Sequence, residues 1–119
     1  MVIALFSQEI NESVSNVIES FFSSKHAKHS KFFLENKIFN NFKSYNNLEL
    51  ISFSKSEDLD SSIDIMVSIG GDGTFLRSIE FIRDLDIPVM GINTGNLGFL
   101  ATIKKENIEQ SIEKIYNQK

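Results

Sequence analysis

The stretch that most restricts the fold runs from Ile63 to Gly73, where the nearly continuous apolar run Ile63, Ile65, Met66, Val67 and Ile69 ends on Gly70-Gly71-Asp72-Gly73. A short apolar run without alternation suits a strand buried on both faces, as in a parallel sheet covered by helices. The glycines bound that strand, and a helix is predicted after them from about Gly73 to Asp84, with Phe75, Leu76, Ile79 and Ile82 turned inward.

The same alternation recurs along the chain. Val2 to Phe6 reads as a strand ended by Ser7-Gln8. A helix follows, capped by Asn11, with Glu12 at its positive end and Val14, Val17, Ile18, Phe21 and Phe22 as its core face. The polar connection SSKHAKHS leads into a second strand, Lys31 to Glu35, and then a helical pattern with Ile38, Phe39, Phe42 and Tyr45. Leu48 to Phe53 is a short extended piece before an acidic linker, Lys55 to Ser62. After Pro88 come a strand, Val89 to Ile92, and an amphipathic helix from about Lys105 to Tyr116 carrying Ile108, Ile112 and Ile115. Strands alternating with helices predict an α/β fold with an open parallel sheet and helices on both faces. A length of 119 residues suits one domain over 1–119 with a single core.

Composition removes several classes of function. Sixteen acidic against twelve basic residues give a net charge of −4, the wrong sign for neutralising nucleic-acid phosphates, so nucleic acid is not an expected partner. The chain has no cysteine, which excludes disulfides, thiolate zinc sites and cysteine nucleophiles. No run approaches the roughly 20 apolar residues of a membrane span. The opening Met1 to Phe6 lacks the basic leader and the length of a signal sequence, so a cytoplasmic protein with no membrane partner is expected.

Chemistry concentrates in two turns. In open α/β sheets ligands bind beyond the carboxyl ends of the strands, where Gly70-Gly71-Asp72-Gly73-Thr74 lies. Glycines let a ligand approach the backbone amides, and those amides with a helix N-terminus favour phosphate. The spacing matches neither the P-loop nor the dinucleotide fingerprint, because Leu76 stands where a third glycine would be needed. Asp72 has two readings: a carboxylate beside phosphates that holds a cation or accepts a proton, or a plain cap of the following helix. The second turn, Gly91-Ile92-Asn93-Thr94-Gly95-Asn96-Leu97-Gly98-Phe99-Leu100, also follows a strand and is expected to frame the same cleft. Its asparagines and threonine offer hydrogen bonds and Phe99 an apolar face, although the same residues also make ordinary surface turns.

GGDGTFL followed about twenty residues later by GINTGNLGFL resembles the N-terminal domain of bacterial NAD kinases, which phosphorylate the adenosine-ribose 2′-hydroxyl of NAD to make NADP. Diacylglycerol and sphingosine kinases and phosphofructokinases carry turns similar to GGDGT. NTGNLGFL discriminates, since lipid kinases typically continue with a G-T-x-N-D-x-A pattern that is absent here.

The resemblance implies a Rossmann-like sheet, ATP and NAD as substrates, and magnesium or another divalent ion arriving with ATP. It implies that Asp72 is the general base and that Gly71, Gly73 and Thr74 hold the phosphates. Arg77 would reach a phosphate or else be an exposed helix arginine, and Asn93, Thr94 and Phe99 would line the NAD side. It also implies a second, β-rich domain beyond Lys119 carrying an Asn-Glu motif, and homo-oligomers when both domains are present. Asn11-Glu12 caps the first helix and does not replace that motif. The alternatives are a diacylglycerol-type lipid kinase domain and a nucleotide-binding module without turnover.

The remaining candidates are weaker. His26 and His29, three apart, lack a third metal ligand and read as a solvated loop. Glu57, Asp58, Asp60 and Asp64 read as a solvated linker, without the ligand alternation of a calcium loop. No metal held by the protein alone is expected.

Overall fold

The computed structural model describes residues 1–45, 47–94, 103–104 and 107–117. Six strands, β1 (Val2–Phe6), β2 (Lys31–Glu35), β3 (Glu49–Phe53), β4 (Ile65–Gly70), β5 (Val89–Asn93) and β6 (Ile103–Lys104), form one sheet in the order β3-β2-β1-β4-β5-β6. Every neighbouring pair is parallel. This is the doubly wound order of Rossmann folds, in which the chain builds outward from β1 to β3 and then returns to β1's other side. The expected α/β class and open parallel sheet are therefore observed.

Helices cover both faces. On one face α1 (Glu12–Ser23), α2 (Asn36–Phe42) and α4 (Ile108–Asn117) pack against Ile3, Leu5, Phe32, Leu34, Ile65, Val67, Ile69 and Ile92. The buried residues of α1 are Val14, Val17, Ile18, Phe21 and Phe22, and the Asn11 side chain accepts from the Val14 amide at 2.9 Å to cap it. That helix follows from its sequence: a polar cap, an acid in the first turn, and an apolar stripe at helical spacing.

The opposite face is covered by α3 (Asp72–Ile82) and by the loop around Leu59 and Ile63, over Ala4, Phe6, Phe33, Phe53 and Met66. Here the expectation fails in part. Leu76 and Ile79 are 52% and 45% exposed, and α3 buries Thr74, Ser78 and Ile82 instead. The reason lies at the strand end. Gly70 has φ +153°, and a Cβ built on it would stand 2.7 Å from the Thr74 hydroxyl oxygen. The first turn of α3 thus rests almost on the backbone of β4, and only small side chains fit at that contact. Thr74, Ser78 and Ile82 lie at i, i+4 and i+8, so placing Thr74 inward turns Leu76 and Ile79 out.

Smaller differences concern element ends. Tyr45 lies beyond α2, Ile63 is buried just before β4 rather than in it, and the acidic linker contains a 3-10 turn at Ser56–Asp58. The linker acids serve turns. Asp58 accepts from the Ser54 and Lys55 amides, Asp60 from the Ser62 amide and hydroxyl, and Asp64 from the Val2 amide at 2.7 Å. Backbone donors at Ser54 and side-chain and backbone donors at Ser62 hold the Asp58 and Asp60 carboxyls below the ordinary aspartate range.

His26 is not a solvated loop residue. Its ring stacks on Tyr116 at 4.2 Å between centroids and meets the Glu113 carboxylate at 3.0 Å, while the Tyr116 hydroxyl pairs with Ser30 at 2.7 Å. These contacts fasten α4 to the 3-10 turn that follows α1. Among the described residues no three His, Cys, Asp or Glu side chains cluster as a metal site, and no helix is long and apolar enough to cross a membrane.

Candidate functional site

The strand order places a crevice where the chain reverses direction, between the carboxyl ends of β1 and β4. Two turns meet there. Ser7-Gln8 leaves β1 and Gly70-Gly71-Asp72 leaves β4, whose last strand residue, Gly70, pairs with Asn93 at the end of β5. The Thr94 amide donates to the Gly70 carbonyl at 3.1 Å, extending the ladder one step past the strands. Both sequence-predicted turns therefore leave neighbouring strands on the same edge of the sheet.

The glycines of the first turn divide by what holds them. Gly70 is required by the fold, for the positive φ and the contact with Thr74 described above. Gly71 has φ −113°, open to any residue, and a Cβ there would meet nothing within 4 Å. At Gly73 the nearest atom to a Cβ would be the Gln8 side-chain oxygen at 3.8 Å, ordinary contact distance. Neither Gly71 nor Gly73 is forced by local packing, and the bare backbone at Gly71 faces open space.

Asp72 is the first residue of α3 and is half-buried, and the N-cap is Gly71, so Asp72 is not the cap. Its carboxylate lies in the first turn, where the helix dipole favours negative charge. Thr74 is buried and its hydroxyl donates to the Gln8 side-chain oxygen at 3.0 Å, tying the β4 turn to the β1 turn. Gln8 was read in the sequence only as a strand terminator.

A cleft of about 380 Å³ opens at this junction, lined by Gln8, Asn11, Gly70, Gly71, Thr74 and Thr94, with Glu9 its one carboxylate among the described residues. It gathers three of the predicted site residues, Gly71, Thr74 and Thr94, with Asn93 beside Gly70 in the strand register. Arg77 lies apart from it. The Arg77 side chain is exposed, pairs with Glu80 at 3.6 Å, and lines a neighbouring cleft of about 290 Å³ with Gln8 and Lys37. Phe99 and residues 95–98 and 100 of the second motif lie outside the described residues.

A larger hollow, about 680 Å³, sits between α1 and α4. Glu19, Glu109 and Glu113 line it, with Lys25 the single cation among its described residues, a set that disfavours phosphate. The smaller cleft has the glycine backbone, the helix terminus and the strand ends that such a ligand needs.

Comparisons with known proteins identify the family and the fold. The family model of the ATP-NAD kinase N-terminal domain matches residues 2–119. An NAD kinase of Flavobacterium psychrophilum is 37% identical over all of this chain and 41% of its own length. An NAD kinase of Christiangramia forsetii is 60% identical over 67 residues, 56% of this chain and 23% of the relative. The chain thus spans less than half the length of these curated relatives. The yeast NADH kinase, solved in complex with NADH, superposes with a TM-score of 0.77 over 98% of this chain and 38% of that one, and at 16% identity it bears on the fold alone. With its doubly wound sheet, its two strand-end turns and a family match over nearly its full length, the chain belongs to the ATP-NAD kinase family.

Proposed function

We propose that this domain binds nucleotide for an NAD kinase reaction, in which the γ-phosphate of ATP passes to the adenosine-ribose 2′-hydroxyl of NAD. The bond from the 2′-oxygen to phosphorus forms, the bond from phosphorus to the ADP oxygen breaks, and the hydroxyl proton goes to the Asp72 carboxylate. Phosphoryl transfer is mostly positioning and charge stabilisation, so a carboxylate is a sufficient base. The observation that carries the reading is the meeting of both motif turns on one sheet edge, joined by the bond from the Thr94 amide to the Gly70 carbonyl.

In this reading Gly71, Gly73 and Thr74 receive phosphates through the open backbone at the start of α3, and Arg77 adds charge from one turn further on. Asn93, Thr94 and Phe99 take the NAD side. A divalent cation such as magnesium would come with ATP, held largely by phosphate oxygens and water, and would supply charge neutralisation at the phosphates, while Asp72 keeps the role of base. NADP synthesis of this kind fits a cytoplasmic protein, and the reading includes a second domain that completes the NAD pocket and the oligomer.

The test measures binding of NAD and of ATP with magnesium by the 119-residue chain, together with NADP formation. Both nucleotides are expected to bind, and any NADP formed is expected to vanish in Asp72→Asn with binding retained. Binding without turnover assigns this chain the binding half of the site. Failure to bind either nucleotide overturns the reading.

A further inference from the structure

Ser7-Gln8 forms a ridge with a cleft on each side. One side is the glycine cleft between β1 and the β4–β5 turns. The other lies toward β2 and β3, where Lys37 and Arg77 line the cleft together with Glu35, Phe6, Phe81 and Ser54. Lys37 follows the β2 end, where the Glu35 side chain caps α2 through the Lys37 amide at 2.9 Å. Its ammonium donates to the Gln8 carbonyl at 3.1 Å.

Charge bookkeeping separates Lys37 from its neighbours. Arg77 has Glu80 at 3.6 Å and Arg83 has Glu57 at 3.8 Å. Among the described residues no carboxylate lies within ion-pair distance of the Lys37 ammonium. An ammonium carries three donors, and the Gln8 carbonyl takes one, which leaves two for a ligand. The wall behind it is apolar and rigid: the Phe6 and Phe81 rings pack at 5.1 Å, and Phe53 meets Phe81 at 5.6 Å. Lys37 itself is exposed beside this wall, within reach of an anion arriving from solvent. The Glu35 carboxylate in the same cleft is engaged at the start of α2, where it accepts from the Lys37 amide rather than from the ammonium.

We propose that Lys37 is a phosphate-binding residue, which together with Arg77 holds the polyphosphate chain of the nucleoside triphosphate on the β2 side of the Ser7-Gln8 ridge. The proposal rests on the nucleotide-binding reading above and adds to it a direction: the triphosphate extends away from the β5 turn, across Gln8, toward α2. Gln8 is then a positioning residue, with its carbonyl on Lys37 and its side-chain oxygen on Thr74.

The test titrates inorganic tripolyphosphate, ATP with magnesium, and NAD separately into the 119-residue chain and into Lys37→Gln, Lys37→Arg and Lys43→Gln. Lys43 is an exposed cation at the far end of the same helix, so its variant removes the same charge from a remote place. Lys37→Gln is expected to weaken tripolyphosphate and ATP about tenfold, the scale of one charge-assisted contact, and to leave NAD affinity and melting temperature unchanged. Lys37→Arg is expected to retain most of the affinity, and Lys43→Gln all of it. If the wild-type chain binds ATP and Lys37→Gln binds it equally well, the proposal falls and the nucleotide reading stands. Equal losses for NAD and ATP with a lowered melting temperature also overturn it, since Lys37 would then serve only to hold the Gln8 ridge. A wild-type chain that binds neither ATP nor tripolyphosphate overturns both.

Discussion

Helix α1 presses Val14, Val17, Ile18, Phe21 and Phe22 onto one face of the sheet, whereas α3 presents Thr74, Ser78 and Ile82 to the other and leaves Leu76 and Ile79 in solvent. The first contact is thick and apolar, and the second is thin and partly polar. Ser68, which faces α3 from β4, even keeps a buried hydroxyl with no hydrogen-bond partner among the described residues. The difference follows from what each helix does. α1 has only a core to fill, so large side chains set its distance from the sheet. α3 must start where β4 stops, close enough for Gly70 and Thr74 to touch, and that proximity brings the amides of the glycine turn to the cleft.

The comparison is broken most sharply by one substitution made on both helices. Ile18→Ala deletes a fully buried side chain and is expected to cost about 2–5 kcal/mol in denaturant unfolding. Ile79→Ala, in the same assay, is expected to change stability by less than about 0.5 kcal/mol. Equal losses would mean that α3 buries the face its apolar pattern suggests. The glycines sharpen the contrast within one turn. Gly70→Ala forces a Cβ against Thr74 at a positive φ and is expected to cost roughly 1–3 kcal/mol, with partial recovery in Gly70→Ala/Thr74→Ala. Gly71→Ala enters open space and is expected to cost under about 1 kcal/mol while weakening ATP binding, so stability and affinity separate between adjacent residues.

The smallest effect belongs to the polar seam of the α1 face. Burial raises the Tyr116 phenol above its ordinary 10.0, against a smaller opposing pull from the Ser30 hydrogen bond. The folded protein thus favours the neutral phenol. That stabilisation is complete below the ordinary value and is lost as pH rises through the folded one. Melting temperature measured above pH 10 is expected to fall less steeply in Tyr116→Phe than in the wild-type chain.

Much of this architecture was legible because its signals are local. The Asn11 cap and the α1 stripe occupy consecutive turns, and β4 announces itself by an apolar run ending on glycine. The inward face of α3 was misread because its apolar residues, Phe75, Leu76 and Ile79, form a plausible stripe of their own. The deciding fact is a contact between Gly70 and Thr74, and the trace it leaves in sequence is faint: small residues at positions 74 and 78 behind a glycine. The glycine turn could be read as a phosphate cradle from its composition. Gln8 and Lys37 could not, because they reach the site from the ends of β1 and β2, and no spacing connects them to residue 74 until the sheet is assembled.

The strand order also has a consequence for biosynthesis. β1 lies inside the sheet, with β2 on one side and β4 on the other: Ile3 pairs with Phe32 and with Ile65. A chain emerging from the ribosome can close the first of these ladders early, but the second waits until residues 65–70 have been made. During that interval the backbone donors and acceptors of Val2 and Ala4, the residues that turn toward β4, have no strand partner, on the most apolar strand of the N-terminal half. A nascent chain stalled before residue 65 therefore displays the kind of open strand edge that templates association with other chains.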